Sequence, residues 1–313
     1  MTERAESSAG AVTYVSIGRD QVGQRIDNFL ARYLKGVPRS LVYRILRSGE
    51  VRVNKGRVKP SYRLALNDHI RVPPVRAAER ALTVAPEPLL ARLETSILLE
   101  DDDLIVLNKP AGLAVHSGSG LGYGLIEALR QARPHAPLLE LVHRLDRDTS
   151  GCLLIAKSRG MLNTLHALLR AGAIDKRYIA LVVGNWRGGA YEVSAPLTRQ
   201  AAHERMTVCA QGKQAESLFR PLTHFKNCTL VEVRLGTGRM HQIRVHAAHL
   251  GHPIAGDDKY GDYTFNRLLR ARRLRRMFLH ATSVRFQIPN SGRRYYVMAP
   301  LDAQLKCVLQ NLA

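Results

Sequence analysis

Over the first eighty residues, apolar positions recur twice at helical spacing and then begin to alternate. Ile26, Phe29, Leu30 and Tyr33 fall three and four residues apart, so residues 25–34 predict a helix with one buried face. Leu41, Val42, Ile45 and Leu46 make a second stripe over 39–49, with Gly49 placed where a helix stops. EVRVN (50–54) alternates like a strand, Asn54, Lys55 and Gly56 read as a turn, and NDHIRVP (67–73) predicts another short strand. Residues 73–95 are rich in Pro and Ala. The pattern therefore divides the chain into a tail (1–18), a small unit (19–80), a linker (81–95) and a large unit (96–313). In the large unit, 104–110, 151–157, 178–184 and 229–235 predict strands, and 124–133 and 161–172 have helical spacing. No repeat of fixed period and no long coiled coil interrupts them.

Charge narrows the choice of partners. The chain of 313 residues carries 47 Lys+Arg against 26 Asp+Glu, a net charge of +21. Such a field favours polyanions, and the lack of a basic helix with a strongly apolar opposite face favours nucleic acid over a membrane. No apolar run approaches the ~18 residues of a membrane span. The opening MTERAESSAG has acids and no apolar core, unlike a secretory signal. Cys152, Cys209, Cys228 and Cys307 are scattered without a CxxC pair, which argues against a disulfide framework or a thiolate metal site and fits a reducing cytoplasm.

The basic excess is uneven, and residues 19–76 hold 14 Lys+Arg against 4 Asp+Glu. Arg39, Arg44 and Arg47 lie off the apolar stripe of the second helix, and Arg52, Lys55, Arg57 and Lys59 follow at once. Together they could track phosphates. The segments QRIDNFLARYL, SLVYRILRSGEVRVNKGRVKPSYRL and NDHIRVP resemble the S4 RNA-binding domain.

Candidate chemistry is concentrated farther on. HRLDRDTSG (143–151) sets five charge-capable side chains and a glycine between two apolar runs, which is how a loop holds polar groups in fixed geometry. DKRYIALV (175–182) puts Tyr178 at the mouth of a strand, and TGRMHQIRVHAAHLGHPIAGDDKYGD (237–262) contributes Arg239, His241 and Arg244. Taken singly, Asp146 could be a loop carboxylate paired with Arg144, and Tyr178 an ordinary strand aromatic. His241, His246, His249 and His252 suggest a metal, but no carboxylate stands at a helical offset and Gly251 and Pro253 break the helix, so none is expected. His143, Asp146 and Ser150 lack the nucleophile elbow of a hydrolase.

These segments, with NKPAGLAVH (108–116) and the K-x-Y at 176–178, closely resemble the RluA-type pseudouridine synthases, and with the S4-like unit the resemblance covers nearly the whole chain. It implies an α+β fold: a small S4 domain, then a catalytic domain with a mixed, largely antiparallel central sheet flanked by helices. It implies Asp146 as nucleophile, Arg244 as its ion-pair partner and Tyr178 against the uracil, serving in later proton abstraction. Arg144 would help hold the flipped nucleotide or fill its place in the helix, with His143, Arg239 and His241 as further RNA contacts. The expected substrate is 23S ribosomal RNA, free or in a pre-ribosomal particle, for a cytoplasmic monomer without metal or cofactor. A non-catalytic ribosome-binding protein would be expected to have lost one of the three catalytic residues. A DNA glycosylase would have no use for an S4 domain.

Overall fold

The computed structural model describes residues 12–34, 37, 39–75, 84–117, 122–200, 205–289 and 291–312. The chain divides into two compact units, 1–82 and 83–313. The smaller contains β1 (Thr13–Ser16), α1 (Ile26–Tyr33), α2 (Arg39–Arg47), β2 (Arg52–Val53) and β3 (His69–Val72). β3 lies between β1 and β2 in an antiparallel sheet. The helices bury Ile26, Phe29, Leu30, Val42, Ile45 and Leu46 against Val51, Val53 and Ile70, as their spacing predicts, but Tyr33 at the end of the first stripe stays exposed, stacked on Phe29. Asn54 and Lys55 adopt φ of 49° and 68°, the left-handed pair that a tight hairpin requires.

Strand β1 corrects the expected tail at 1–18. Thr13 to Ser16 pair in register with Val72 to His69, and Ile17 is buried. Four alternating residues are too short to announce a strand whose partner lies so far along the chain. Residues 1–11 of that stretch lie outside the described residues.

Arg44, Arg47, Arg52, Lys55, Arg57 and Lys59 are exposed. Arg57 lies over Gly49, where an added Cβ would stand 2.4 Å from its Nε. Helix and hairpin arginines therefore share one surface. The Arg39 side chain lies outside the described residues.

The larger unit begins with α3 (Glu87–Thr95), which occupies much of the expected linker at 81–95. Leu90 and Leu93 enter the main core. Pro88, in the first turn, costs the helix nothing because an N–H there has no intrahelical acceptor. Pro86 and Pro88 thus mark a helix start, while residues 76–83 lie outside the described residues. Next come β4 (Ile97–Glu100), β5 (Leu104–Lys109), α4 (Leu125–Ala132), β6 (Glu140–Leu141), β7 (Ser150–Ala156) and α5 (Arg159–Arg170). β8 (Asp175–Val183), β9 (Tyr191–Ser194), β10 (Leu197–Gln200), β11 (Arg205–Val208), β12 (Glu216–His224) and β13 (Cys228–Leu235) follow. The unit closes with α6 (Gln242–His249), α7 (Tyr263–Ala271), β14 (Leu279–Gln287), β15 (Arg294–Met298) and α8 (Ala303–Gln310).

The main sheet runs β4-β5-β7-β14-β8-β13-β12-β9, with β15 added to β14 and β6 to β7. Among the described residues its pairs are antiparallel except β7 with β14. The expected mixed, largely antiparallel sheet is therefore present. β7 is buried at all seven positions, which explains its unbroken apolar run. Gly151, closing HRLDRDTSG, has φ of 109°, and a Cβ there would meet the Ala281 carbonyl oxygen at 2.2 Å. Only glycine lets the loop enter β7 this close to β14.

Candidate active site

The loop of residues 143–149 reaches β7 from one side, and α6 approaches from the other. Gln242, buried at the start of α6, fixes that helix: its amide oxygen accepts from Thr237 Oγ1 (2.7 Å) and Arg239 N (3.0 Å). Its amide nitrogen donates to Glu216 O (2.8 Å) and Ser217 Oγ (2.9 Å). His241, just before α6, takes a left-handed φ of 55°. A non-glycine residue held there is strained, and such strain gathers at functional sites.

Arg244 then points back at the loop. Its Nη1 donates to Asp146 Oδ2 at 3.0 Å, while Nε and Nη2 donate to Asp257 at 2.7 and 2.9 Å. The Asp257 side chain is completely buried and also accepts the Lys259 and Tyr260 N–H groups. Burial pushes its carboxyl up, but the Arg244 hydrogen bonds and charge outweigh that and hold it below the usual carboxylate range. One guanidinium thus spans a buried acid and the accessible Asp146, with the Tyr260 ring 5.0 Å beneath it. His241 Nε2 is 3.8 Å from Asp146, and its Nδ1 is 2.8 Å from Tyr260 Oη.

Tyr178 of β8 is buried among the walls of the same cavity, of about 520 Å³, together with Asp146, Arg239, His241 and Arg244. Burial first, and then the Asp146 charge, raise its phenol well above the ordinary value, so it is protonated at neutral pH. A second cleft, of about 730 Å³, also opens on Asp146, with Arg144, Arg147, Arg205, Lys259 and Arg275 among its walls. Arg144 is exposed and lines both.

His143 lines the first cavity and also fixes the loop. Its Nε2 accepts the Leu154 N–H at 3.2 Å, and burial with nearby Lys176 pushes its pKa down to about 4. His246 and His252 are similarly committed, His246 to Ser217 Oγ and Ala195 O, His252 to Val183 O.

Sequence reasoning assigned nothing to Lys109, the most deeply placed cation of the site. Wholly buried at the end of β5, it donates to Pro110 O (2.8 Å) and Arg147 O (2.9 Å), while Gly112 N reaches the same Arg147 carbonyl (2.9 Å). The loop carrying Asp146 is thereby held from below. Two acceptors match the two N–H groups of a neutral amine. Burial pulls its pKa down to about 7, against the attraction of Asp148 and Asp146. Between pH ~7 and ~10.5 the unfolded chain therefore holds a proton that the folded one lacks, so this residue makes stability rise with pH across that window. Lys109→Met is expected to flatten the melting-temperature profile between pH ~7 and ~10. Parallel profiles for the two proteins would show that the buried amine stays charged.

Comparison with known proteins yields matches to two family models: RNA pseudouridylate synthase over residues 103–249 and S4 domain over residues 24–70. Ribosomal large subunit pseudouridine synthase C of Yersinia pestis is 52% identical over 304 residues, 95% of each chain. The protein of the same name from Haemophilus influenzae is 51% identical, covering 100% of this chain and 99% of its own. Among solved structures, human RNA pseudouridylate synthase domain containing 4 is 25% identical with a TM-score of 0.60, covering 72% of this chain and 95% of its own.

Proposed function

The chain belongs to the RNA pseudouridylate synthase family, and from that premise we propose that it isomerises particular uridines of large subunit (23S) ribosomal RNA to pseudouridine. The observation that carries the assignment is Arg244 bridging Asp146 and buried Asp257 at the floor of a cavity walled by Tyr178. Isomerisation breaks the N1–C1′ bond, turns the base, forms a C5–C1′ bond and transfers the C5 proton. No electron is gained or lost overall. Attack at the base and attack at the sugar make the same demand, an ionised oxygen aimed at the nucleoside, and Asp146 beside a guanidinium meets it.

The uridine must leave its stack to enter the cavity, at a cost of a few kcal/mol. Arg144, exposed and lining both cavities, would hold the flipped nucleotide or fill the vacated position, and Arg239 and His241 would meet the neighbouring backbone. His143 acts as the anchor of the loop. The exposed basic surface of residues 44–59 supports RNA capture by the smaller unit. The substrate is rRNA, free or in a pre-ribosomal particle, met by a monomer in the cytoplasm. No described helix is long and apolar enough to cross a membrane.

Tyr178 keeps its proton at neutral pH, so its oxygen can take the C5 proton only while releasing its own to an acceptor. Tyr178→Phe retains the ring but not this exchange. It is expected to bind RNA normally and consume substrate in single-turnover reactions without releasing pseudouridine. Normal product release would restrict Tyr178 to packing. The assignment itself is tested by pseudouridine mapping of large subunit rRNA from cells lacking the protein, complemented with the native chain. Sites lost and then restored are expected, and an unchanged map would refute it.

A further inference from the structure

Residues 267–276, NRLLRARRLRRM without its first and last letters, hold six arginines in ten positions and no acid. Phe265, Leu269 and Leu274 turn inward with Phe278, Leu305 and Val308, leaving Arg267, Arg270, Arg272, Arg273 and Arg275 exposed. Arg270 has only a 3.7 Å contact with exposed Asp258, and Arg272 donates to the Asn311 carbonyl. Arg267, Arg273 and Arg275 have no ion-pair partner among the described residues. Packing of the core requires none of these charges. Like charges three apart on a helix repel, so the free protein bears a cost that a polyanion would remove.

This surface is fixed relative to the active site. Asn266 of α7 accepts the Gly256 N–H at 2.7 Å and donates to Asp257 O at 3.1 Å, stapling the helix to the loop that holds Arg244. The Asp262 side chain caps α7 by accepting the Phe265 N–H at 2.7 Å. Arg275 and Arg276 line the cleft that opens on Asp146, so the basic run continues the cleft outward. Nine helical residues extend about 13 Å, enough to face roughly four phosphates of one strand in a duplex.

We propose that the exposed face of α7 and the turn after it form a second RNA-docking surface, on the catalytic unit itself, which binds the phosphate backbone of RNA leading away from the target uridine. It rests on the activity assigned above. Recognition is electrostatic and sequence-independent, so the surface contributes affinity and direction rather than choice of base. Exposed Tyr263, at the start of the helix, offers a face for an unpaired base.

The test uses the full chain and a 23S rRNA fragment that the native protein modifies. One variant carries Arg267→Gln, Arg270→Gln and Arg273→Asn. A charge-matched control carries Arg187→Gln, Arg285→Gln and Arg294→Gln, exposed positions that line neither cavity. The α7 variant is expected to raise Kd about tenfold near 0.1 M salt and to lower the slope of log K against log salt by about 2, converging with the native protein at high salt. The control is expected to change Kd less than about twofold, since exposed charges a Debye length away are screened. Equal losses in both variants, or none in the α7 variant while the native chain still makes pseudouridine, would overturn the docking surface and leave the activity standing. Unchanged RNA affinity with lost binding to vesicles of anionic phospholipid would also overturn it, in favour of a membrane. A native chain that forms no pseudouridine in any large subunit rRNA would instead refute the activity.

Discussion

Asp146→Asn is expected to remove pseudouridine formation, by at least about 10⁴-fold in single-turnover rate, the scale on which deleting a covalent nucleophile acts. The substitution keeps the size of the side chain, so the cavity and its Arg244 contact stay nearly in place while the anion is lost. RNA affinity is expected to remain within about threefold, because phosphate contacts elsewhere supply most of it. Asp146→Ala separates charge from occupancy by emptying the position as well. Pseudouridine produced by either protein at more than about 1% of the native rate would displace Asp146 from the nucleophile's role.

The second large effect is structural as well as chemical. Arg244→Ala removes the partner of Asp146 and also leaves the Asp257 carboxylate unpaired in a fully buried position. Breaking a buried pair from one side costs about 3–5 kcal/mol, since the remaining charge keeps its desolvation penalty. A pH signature accompanies that loss. In the native protein the Asp257 carboxyl sits below its unfolded value, so its contribution is present above that value and fades as acid protonates the folded state. Without Arg244, burial dominates and the folded value rises above the unfolded one, so the sign reverses. The variant is expected to lose stability as pH rises through the interval between the two values. Melting temperatures between pH ~4.5 and ~8 decide it, because native Asp257 is ionised in both states there and adds no slope: a variant profile parallel to the native one would show that Asp257 is not held ionised by Arg244. Arg244→Ala combined with Asp257→Asn is expected to recover stability but not activity.

Much of the site could be read in the chain because its chemistry is concentrated in short runs. HRLDRDTSG, K-x-Y and TGR-x-HQIR contain Asp146, Tyr178 and Arg244, and folding brings them around one cavity. What stayed hidden depends on distance and depth. Asp257 lay inside a quoted motif, yet nothing local marks it as buried or as the second acceptor of Arg244. A lysine after an apolar strand, as Lys109 is, ordinarily ends the strand in solvent, and only the fold directs it inward to the Arg147 carbonyl. The resemblance implied an RNA contact at His143, but nothing local shows that its ring nitrogen, at the cavity wall, accepts the Leu154 amide. At the level of elements, strands and helices with clean periodicity were legible. β1 and α3 were not: one is too short to show a period, and the other is introduced by prolines that also mark linkers.

The close approach of Gly151 to the Ala281 carbonyl has a practical corollary for re-engineering. Gly256 shows the same feature, where a Cβ would meet the Arg276 carbonyl oxygen at 2.2 Å. The loops bearing Asp146 and Asp257 are both pressed against the segment entering β14, so neither accepts even one added carbon beside it. The opposite wall is built differently: Leu169, Arg170 and Gly172 at the end of α5, with Gly238 and Met240 in the turn before α6, flank the same cavity. An added Cβ at Gly238 meets only the Lys176 Nζ, at 3.7 Å, whereas Gly172, with nothing within 4 Å but a φ of 67°, is best kept as glycine. Libraries meant to retarget the enzyme to another uridine therefore belong on that wall, where sequence can vary without moving the carboxylate.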